Sequence, residues 1–270
     1  MNGPIFDLTG RIALITGGAG LLGLSHARAI HRAGGIPVLL DVVKPEFGRL
    51  REEALIDAEY LHCDITREDD VKSTLSTVIS RFGRVDILIN NAANNPKVEA
   101  SAGLHNSRLE SFPLERWEAD LAVGLTGAMI CSRVFGAEMA RRGKGVIVNI
   151  ASDLALIAPD QRLYQIDGLA LDAQPVKPVS YSVVKTGLIG LTRYLATYWA
   201  GQGVRANALC PGGVENGQDV TFLKRIAERI PLGRMADRDE YQGVMLFLCS
   251  DASSYMTGAV VAVDGGRSVW

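Results

Sequence analysis

The stretch from Ile12 to Gly23 restricts the fold of this chain more than any other. An apolar run, Ile12 to Thr16, passes straight into Thr16-Gly17-Gly18-Ala19-Gly20-Leu21-Leu22-Gly23, and a helical pattern from Leu22 to Ala33 starts among the same glycines. An apolar run without polar alternation reads as a strand buried on both faces, which calls for a parallel sheet covered by helices above and below. Glycines at the turn let the backbone reverse sharply and leave room where a Cβ would stand. Gly34-Gly35 then ends the helix.

The rest of the chain repeats this alternation. Further strands are predicted at Val38 to Leu40 (ending at Asp41), Tyr60 to Cys63, Ile87 to Ile89, Val146 to Ile150, Arg205 to Leu209 and Ala259 to Val263. Helices are predicted from about Glu68 to Phe82, Leu114 to Arg141, Ser180 to Ala200 and Glu240 to Leu248. The expectation is an α/β fold: a Rossmann-type, doubly wound parallel sheet of about seven strands with helices on both faces. No repeat or low-complexity linker divides the sequence, so residues 1–270 are read as one domain. Three irregular stretches, about 94–113, 153–179 and 212–235, each follow the C-terminal end of a predicted strand. In open α/β sheets that edge is where ligands bind, which makes them candidate substrate loops.

A strand, a glycine turn and a helix in direct succession suit a dinucleotide: the helix N-terminus offers free N–H groups and partial positive charge to a pyrophosphate. Gly17, Gly20 and Leu22 are the candidate contacts. Asp41, ending the second strand, can accept hydrogen bonds from both adenosine ribose hydroxyls. It would repel a 2′-phosphate, and no arginine or lysine lies in the glycine loop to compensate, so NAD is the expected cofactor. Asp64 and Ile65 after the third strand are candidates to flank the adenine. Asn91 and Ala92 after the fourth would let backbone approach the cofactor, although an Asn pair there also suits a plain turn.

Ser152 follows the fifth strand, and Tyr181-Ser182-Val183-Val184-Lys185 opens the next helix. Residues four apart share a helical face. A cation about 4 Å from a phenolate, at an effective dielectric of about 20, stabilises it by roughly 4 kcal/mol, or up to about three pKa units. Lys185 would thus prepare Tyr181 for proton transfer, and Ser152 would steady a substrate oxygen. Tyr-x-x-x-Lys alone also occurs on many surface helices.

Taken together, Thr16-Gly17 with its glycine loop, Asp64, Asn90-Asn91-Ala92, Ser152, Tyr181-x-x-x-Lys185, Pro211-Gly212 and the closing Asp264-Gly265-Gly266 follow the order found in short-chain dehydrogenases/reductases. The resemblance covers essentially the whole chain. It implies that Ser152 positions the substrate, Tyr181 is the general acid/base, and Lys185 holds the cofactor ribose while lowering the tyrosine pKa. It also implies that Pro211, Gly212 and Val214 line the nicotinamide.

Four features depart from that pattern. The glycines fall at 17, 20 and 23, the spacing of the family's extended, sugar-nucleotide branch, with Leu21 where the shorter branch has glycine. Gly124 stands where the family usually carries an asparagine that helps hold a water in the proton relay, which implies altered proton exchange. The hydroxyl residue usual after Pro-Gly is replaced by Val214-Glu215-Asn216. The segment between Ser152 and Tyr181 is unusually long and polar, with Asp153, Asp160, Gln161, Arg162, Tyr164 and Asp167 expected beside the substrate. The string from Ser152-Asp153 through Pro159-Asp160-Gln161-Arg162 to Lys177-Pro178-Val179-Ser180-Tyr181 resembles a bacterial subgroup described as gluconate 5-dehydrogenase-like or sugar-modification oxidoreductases.

The resemblance therefore implies NAD-dependent hydride transfer to or from a secondary alcohol or ketone, with a sugar, polyol or sugar acid as candidate substrate. A 3-oxoacyl thioester reductase is the first alternative, disfavoured by Asp41 and by the lack of an evident apolar acyl groove in the sequence. A nucleotide-sugar epimerase is disfavoured by chain length, and a cofactor-binding regulator with weakened catalysis is suggested by Gly124. A net charge of −2 gives no field for nucleic acid or anionic lipid. No stretch is expected to cross a bilayer, and no leader pattern is read at the N-terminus. Cys63, Cys131, Cys210 and Cys249 are scattered and fit reduced thiols of a cytoplasmic protein; no metal site is expected. The resemblance further implies a homotetramer or homodimer packed through the helices beginning near Leu114 and Ser180, with Trp270 at a subunit contact.

Overall fold

The computed structural model describes residues 5–94 and 107–270. Seven strands form one parallel sheet: β1 (Ile12–Thr16), β2 (Ile36–Asp41), β3 (Glu59–His62), β4 (Ile87–Asn90), β5 (Gly145–Ile150), β6 (Val204–Pro211) and β7 (Val260–Val263). Their order is β3-β2-β1-β4-β5-β6-β7, so the winding changes direction between β1 and β4, where Ala13 pairs with Ile87 and Leu14 with Leu88. Chain connections diverge there and leave a crevice at the carboxyl ends of the strands.

The apolar strands are explained by burial on both faces. Ile12 and Leu14 of β1 pack on one side with Val71, Val78, Phe135 and Met139, from the helices α3 (Glu68–Phe82) and α5 (Gly127–Arg141). Ala13 and Ile15 face the other side, against Leu24, Ala27 and Ile30 of α1 (Leu21–Arg32) and Met245 and Leu248 of α8 (Gln242–Cys249). The α3 boundaries follow local chemistry. Glu68, Asp69 and Asp70 complement the positive end of the helix, and Gly83, at φ +74°, ends it in a left-handed cap.

Two helices escaped the sequence reading: α2 (Phe47–Glu52), which buries none of its residues, and α7 (Val220–Ala227), inside the supposed loop 212–235. The α7 start has a recognisable signal, since Asp219 Oδ1 accepts the Phe222 N–H at 2.9 Å. The predicted helix 114–141 is α4 (Leu114–Leu121), a π turn at Ala122–Thr126, and α5. A 20-residue helix, α6 (Val179–Tyr198), follows the long segment after β5. Most of the candidate loop 94–113 lies outside the described residues.

The expectation that no stretch could cross a bilayer needs correcting. Leu114–Arg141 is long and apolar enough by length and composition, with a mean hydropathy of 1.2 in its most apolar window. Just over half of that window, 56%, is buried inside the fold, because α5 lays Ile130, Phe135 and Met139 on the sheet. The four cysteines are buried and free, and the described residues hold no cluster suited to a metal ion.

His26, on α1, is 1% exposed, and neither ring nitrogen has a hydrogen-bond partner. Burial without a partner disfavours the imidazolium and lowers its pKa to about 4. The unfolded chain takes up this proton near pH 6.5 and the folded chain only near 4. Stability attributable to His26 is therefore whole above pH 6.5 and falls as pH drops through that window, by about 3 kcal/mol in total. Chemical denaturation at pH 7 and pH 4.5 should show this loss in the parent, and His26→Leu should show a markedly flatter dependence.

Candidate active site

The glycine loop is shaped by close approach. Gly17 has φ +62°, and a Cβ there would stand 2.9 Å from the Ala92 Cα; at Gly23 it would stand 2.2 Å from the Gly17 carbonyl oxygen. Gly20 caps α1, and Leu21 and Leu22 open the helix, whose first N–H groups have no carbonyl one turn back. Thr16 ties this loop to the end of β4. Its hydroxyl oxygen accepts the N–H groups of Asn91 at 3.0 Å and Ala92 at 3.1 Å, while the Asn91 side chain donates to the Thr16 and Gly17 carbonyls at 3.0 and 3.1 Å. Asn91 is thus a brace for the loop. Asn90 is buried and donates to Ser132 Oγ at 3.0 Å and to Asn149 Oδ1 at 2.8 Å, joining β4 to α5 and β5.

Asp41 closes β2 with one carboxylate oxygen on the Ala19 N–H of the glycine loop and the other on the Val43 N–H, both at 3.0 Å. Asp64 accepts the Thr66 hydroxyl at 2.7 Å and the Thr66 N–H at 3.0 Å. These bonds, the hydroxyl first, hold its carboxyl below the usual range. Ile65 beside it is buried. Gly17, Gly20, Leu22, Asp41, Asp64, Ile65, Asn91 and Ala92 all line one cavity of about 860 Å³. Pro211, Gly212 and Val214 line it from the end of β6. The space kept clear by Gly17, the helix N-terminus behind it and the carboxylate at the far end fit a nicotinamide dinucleotide.

Ser152, Tyr181 and Lys185 line the same cavity. Lys185 is 4% exposed, and its ammonium donates to the Ile150 carbonyl at 2.7 Å, pinning α6 to the end of β5. Burial lowers its pKa to about 8; a small opposing effect comes from Cys210, and Lys177 adds to the lowering. Its Nζ lies 5.8 Å from the centre of the Tyr181 ring. The depressed tyrosine pKa expected from the spacing is not what the chain alone produces. Burial pushes the Tyr181 phenol up, Ser152 pulls it down through a hydrogen bond, and the Asp153 charge pushes it up again. The reason is geometric: the ammonium is bonded to a backbone carbonyl, and desolvation of the phenolate dominates.

The long segment before Tyr181 is more ordered, and its polar residues more self-satisfied, than the sequence suggested. Arg162 holds Asp160 through Nε and Nη2 at 2.8 and 2.9 Å, Arg229 adds a bond at 2.6 Å, and Gln161 accepts the Lys177 N–H. Asp160, Gln161 and Arg162 therefore fasten this segment to itself and to the region after α7 and are not cavity residues; nor is Asp167, which pairs with Arg225. The cavity wall is instead Asp153, Leu154, Leu163, Tyr164 and Lys177, faced by Phe222, Ile226 and Met235 around α7. Lys177 Nζ sits 4.0 Å from the centre of the Tyr181 ring, and burial lowers its pKa to about 8 against the pull of Asp153 and Asp120.

Three features were missed in the sequence: Lys177, the buried Ser180–Asp120 hydrogen bond at 2.5 Å, and the buried Arg267–Asp153 ion pair at 2.6 Å. Their partners lie 60 and 114 residues apart in the two latter cases, so only the fold brings them together.

This architecture, a doubly wound sheet with a dinucleotide cradle and a Ser-Tyr-Lys set in one cavity, is that of a nicotinamide-dependent oxidoreductase. The sequence pattern of a family described as enoyl-(acyl carrier protein) reductase matches residues 22–268, and the chain belongs to the short-chain dehydrogenases/reductases. It is 30% identical to cis-4-hydroxycyclohexanecarboxylate dehydrogenase of Sinomonas cyclohexanicum over 95% of this chain and 96% of that protein. It is likewise 30% identical to D-threitol dehydrogenase of Mycolicibacterium smegmatis, over 98% and 95%. A crystal structure of gluconate 5-dehydrogenase from Burkholderia cenocepacia in complex with NADP and tartrate superposes with a TM-score of 0.82 at 29% identity, over 98% of each chain.

Gly124 lies in the π turn and is buried. A Cβ there would come within 2.5 Å of Val184 Cγ1, between Tyr181 and Lys185 on α6. Restoring the family's residue as Gly124→Asn should therefore cost about 1–3 kcal/mol of stability through overpacking. Thermal melting should show that loss, and adding Val184→Ala should recover most of it; an unchanged melting temperature in the single variant would contradict the packing account.

Proposed function

We propose that this enzyme catalyses reversible hydride transfer between NAD(H) and a secondary alcohol/ketone pair on a polyol, sugar or sugar acid. The observation that carries the reading is the meeting of Ser152, Tyr181 and Lys185 in the cavity that also holds the glycine loop and Asp41. In this proposal Gly17, Gly20 and Leu22 receive the pyrophosphate, and Asp41 binds the adenosine ribose. Asp64 and Ile65 flank the adenine, while Asn91 and Ala92 keep the backbone close to the cofactor. Pro211, Gly212 and Val214 line the nicotinamide, which when bound supplies the hydride acceptor or donor. Tyr181 exchanges the proton of the substrate hydroxyl, Ser152 holds the substrate oxygen, and Lys185 binds the cofactor ribose with its ammonium.

The choice of NAD is supported by the Asp41 carboxylate, whose charge opposes a 2′-phosphate. A polar substrate is supported by Asp153, Tyr164, Lys177 and Arg267 in the cavity wall, and by the hydroxy acid and polyol named for the relatives. A second reading, 3-oxoacyl thioester reduction, gains from the apolar side of the cavity. Leu163, Ile226 and Met235 form a small apolar core there, with Phe222 against it, and line the cavity with an apolar wall that the sequence did not make evident. A cofactor-binding regulator is opposed by the assembled Ser-Tyr-Lys set. Assembly as a homotetramer or homodimer is proposed through the faces of α4 and α6, where Leu114, Tyr194 and Tyr198 are exposed; light scattering tests it.

The decisive assay presents D-threitol, D-gluconate, cis-4-hydroxycyclohexanecarboxylate and an acetoacetyl thioester, each with NAD(H) and with NADP(H). Turnover of a hydroxylated substrate with NAD is expected, and Tyr181→Phe should lower kcat/KM by about 10²- to 10⁴-fold. A marked preference for NADP would overturn the role given to Asp41. Thioester turnover alone would select the second reading, and cofactor binding without any turnover the regulator.

A further inference from the structure

Beyond β7 the chain turns back on itself. Gly265 and Gly266 have φ of +67° and +87°, and Asp264 fixes the turn by accepting the Gly266 N–H at 3.0 Å and the Ser268 N–H at 2.9 Å. This fold-back carries Arg267, 9% exposed, into the cavity wall, where its Nη1 meets Asp153 Oδ2 at 2.6 Å. The other Asp153 oxygen accepts the Ser152 hydroxyl and the Leu154 N–H, each at 2.8 Å. A residue close to the C-terminus thus stands two contacts from the serine of the reacting set.

We propose that Arg267 and Asp153 are a positioning pair: Asp153 sets which way the Ser152 hydroxyl proton points, and Arg267 tempers the field that Asp153 exerts on Tyr181. The reading rests on Tyr181 as the acid/base. A serine hydroxyl has one proton and two acceptor sites. With that proton given to Asp153 and one acceptor site taken by the Leu154 N–H at 3.2 Å, Ser152 turns its remaining acceptor site toward the cavity and is matched to a donor, the hydroxyl of an alcohol. An unpaired carboxylate at Asp153 would also oppose ionisation of the phenol, and Arg267 offsets this.

The groups facing Tyr181 come from several elements. Ser152 and Asp153 follow β5, Tyr164 and Lys177 come from the long segment and Lys185 from its own helix, while Arg267 of the tail reaches this set through Asp153. Asp153 raises the Tyr181 pKa by its charge while Ser152 lowers it. Arg267 and Asp153 also act with opposite sign on the neighbouring Tyr164. A purely structural ion pair would hold the tail down without moving the tyrosine.

The test is an ultraviolet titration of tyrosinate in the full-length chain, with and without NAD⁺, with the Tyr181 contribution isolated by subtracting the same titration of Tyr181→Phe. Arg267→Met should raise the Tyr181 midpoint by about one pH unit, Asp153→Asn should lower it by a comparable amount, and the double variant should fall between them. Arg267→Lys should stay close to the parent. Midpoints of Arg267→Met and Asp153→Asn that both coincide with the parent in folded protein overturn the proposal. Should Arg267→Met fail to fold, the near-isosteric Asp153→Asn decides alone, an unmoved midpoint being fatal. The titration needs no turnover, so an inactive substrate panel with shifted midpoints sinks the substrate reading only, whereas an active enzyme with unmoved midpoints sinks the pair.

Discussion

The change of winding direction at β1 is the constraint from which the site follows. With β2 on one flank and β4 on the other, no crossover covers the carboxyl end of β1, and the crevice left there must be closed by polar contacts. Thr16 supplies them. Its hydroxyl accepts two N–H groups from Asn91 and Ala92, and the Asn91 amide returns two bonds to the β1 end. Four bonds across two strands hold the backbone so close that Gly17 tolerates no Cβ. The cofactor cradle is thus a product of strand pairing as much as of glycine content.

The elements were largely legible because each has a local cause. β1 and α3 have the bounds read from the sequence, since an apolar run buried on both faces and a helix between an acidic first turn and a left-handed glycine leave little choice. α7 had its signal in Asp219 and the apolar residues after it, but it was hidden by its place in a stretch read as loop. α2 buries nothing, so no periodicity announced it. The π turn at Gly124 depends on what α6 puts opposite it, and sequence periodicity carries no record of that.

The site divides along the same line. Ser152, Tyr181, Lys185 and the residues proposed to hold the cofactor meet in one cavity, and each could be singled out in the sequence because it sits near a strand end or a helix start, where spacing and position are visible. Their electrostatics were not. Four residues of spacing suggested that Lys185 would lower the Tyr181 pKa, whereas the ammonium is committed to the Ile150 carbonyl and burial of the phenol prevails. The polar segment from 153 to 179 was read as facing substrate, yet Asp160, Gln161 and Arg162 are spent on holding it in place. Composition tells that a loop is polar; only the fold tells which side of it is.

What remains at the reacting centre is a balance among few charges. Lys177 and Lys185 are cations lowered to about 8 by desolvation, 4.0 and 5.8 Å from the centre of a phenol ring whose own ionised form is disfavoured by burial. Asp153 supports both the Lys177 charge and the Ser152 hydroxyl but acts against ionised Tyr181. A carboxylate in that position helps proton exchange only if a further cation limits its field, and Arg267 is the group that reaches it. On this logic the long segment after β5 and the C-terminal tail belong to one device. The segment brings Lys177 and the Asp153 carboxylate to Tyr181, and in the proposed pair the tail keeps that carboxylate from setting the tyrosine pKa too high for proton exchange.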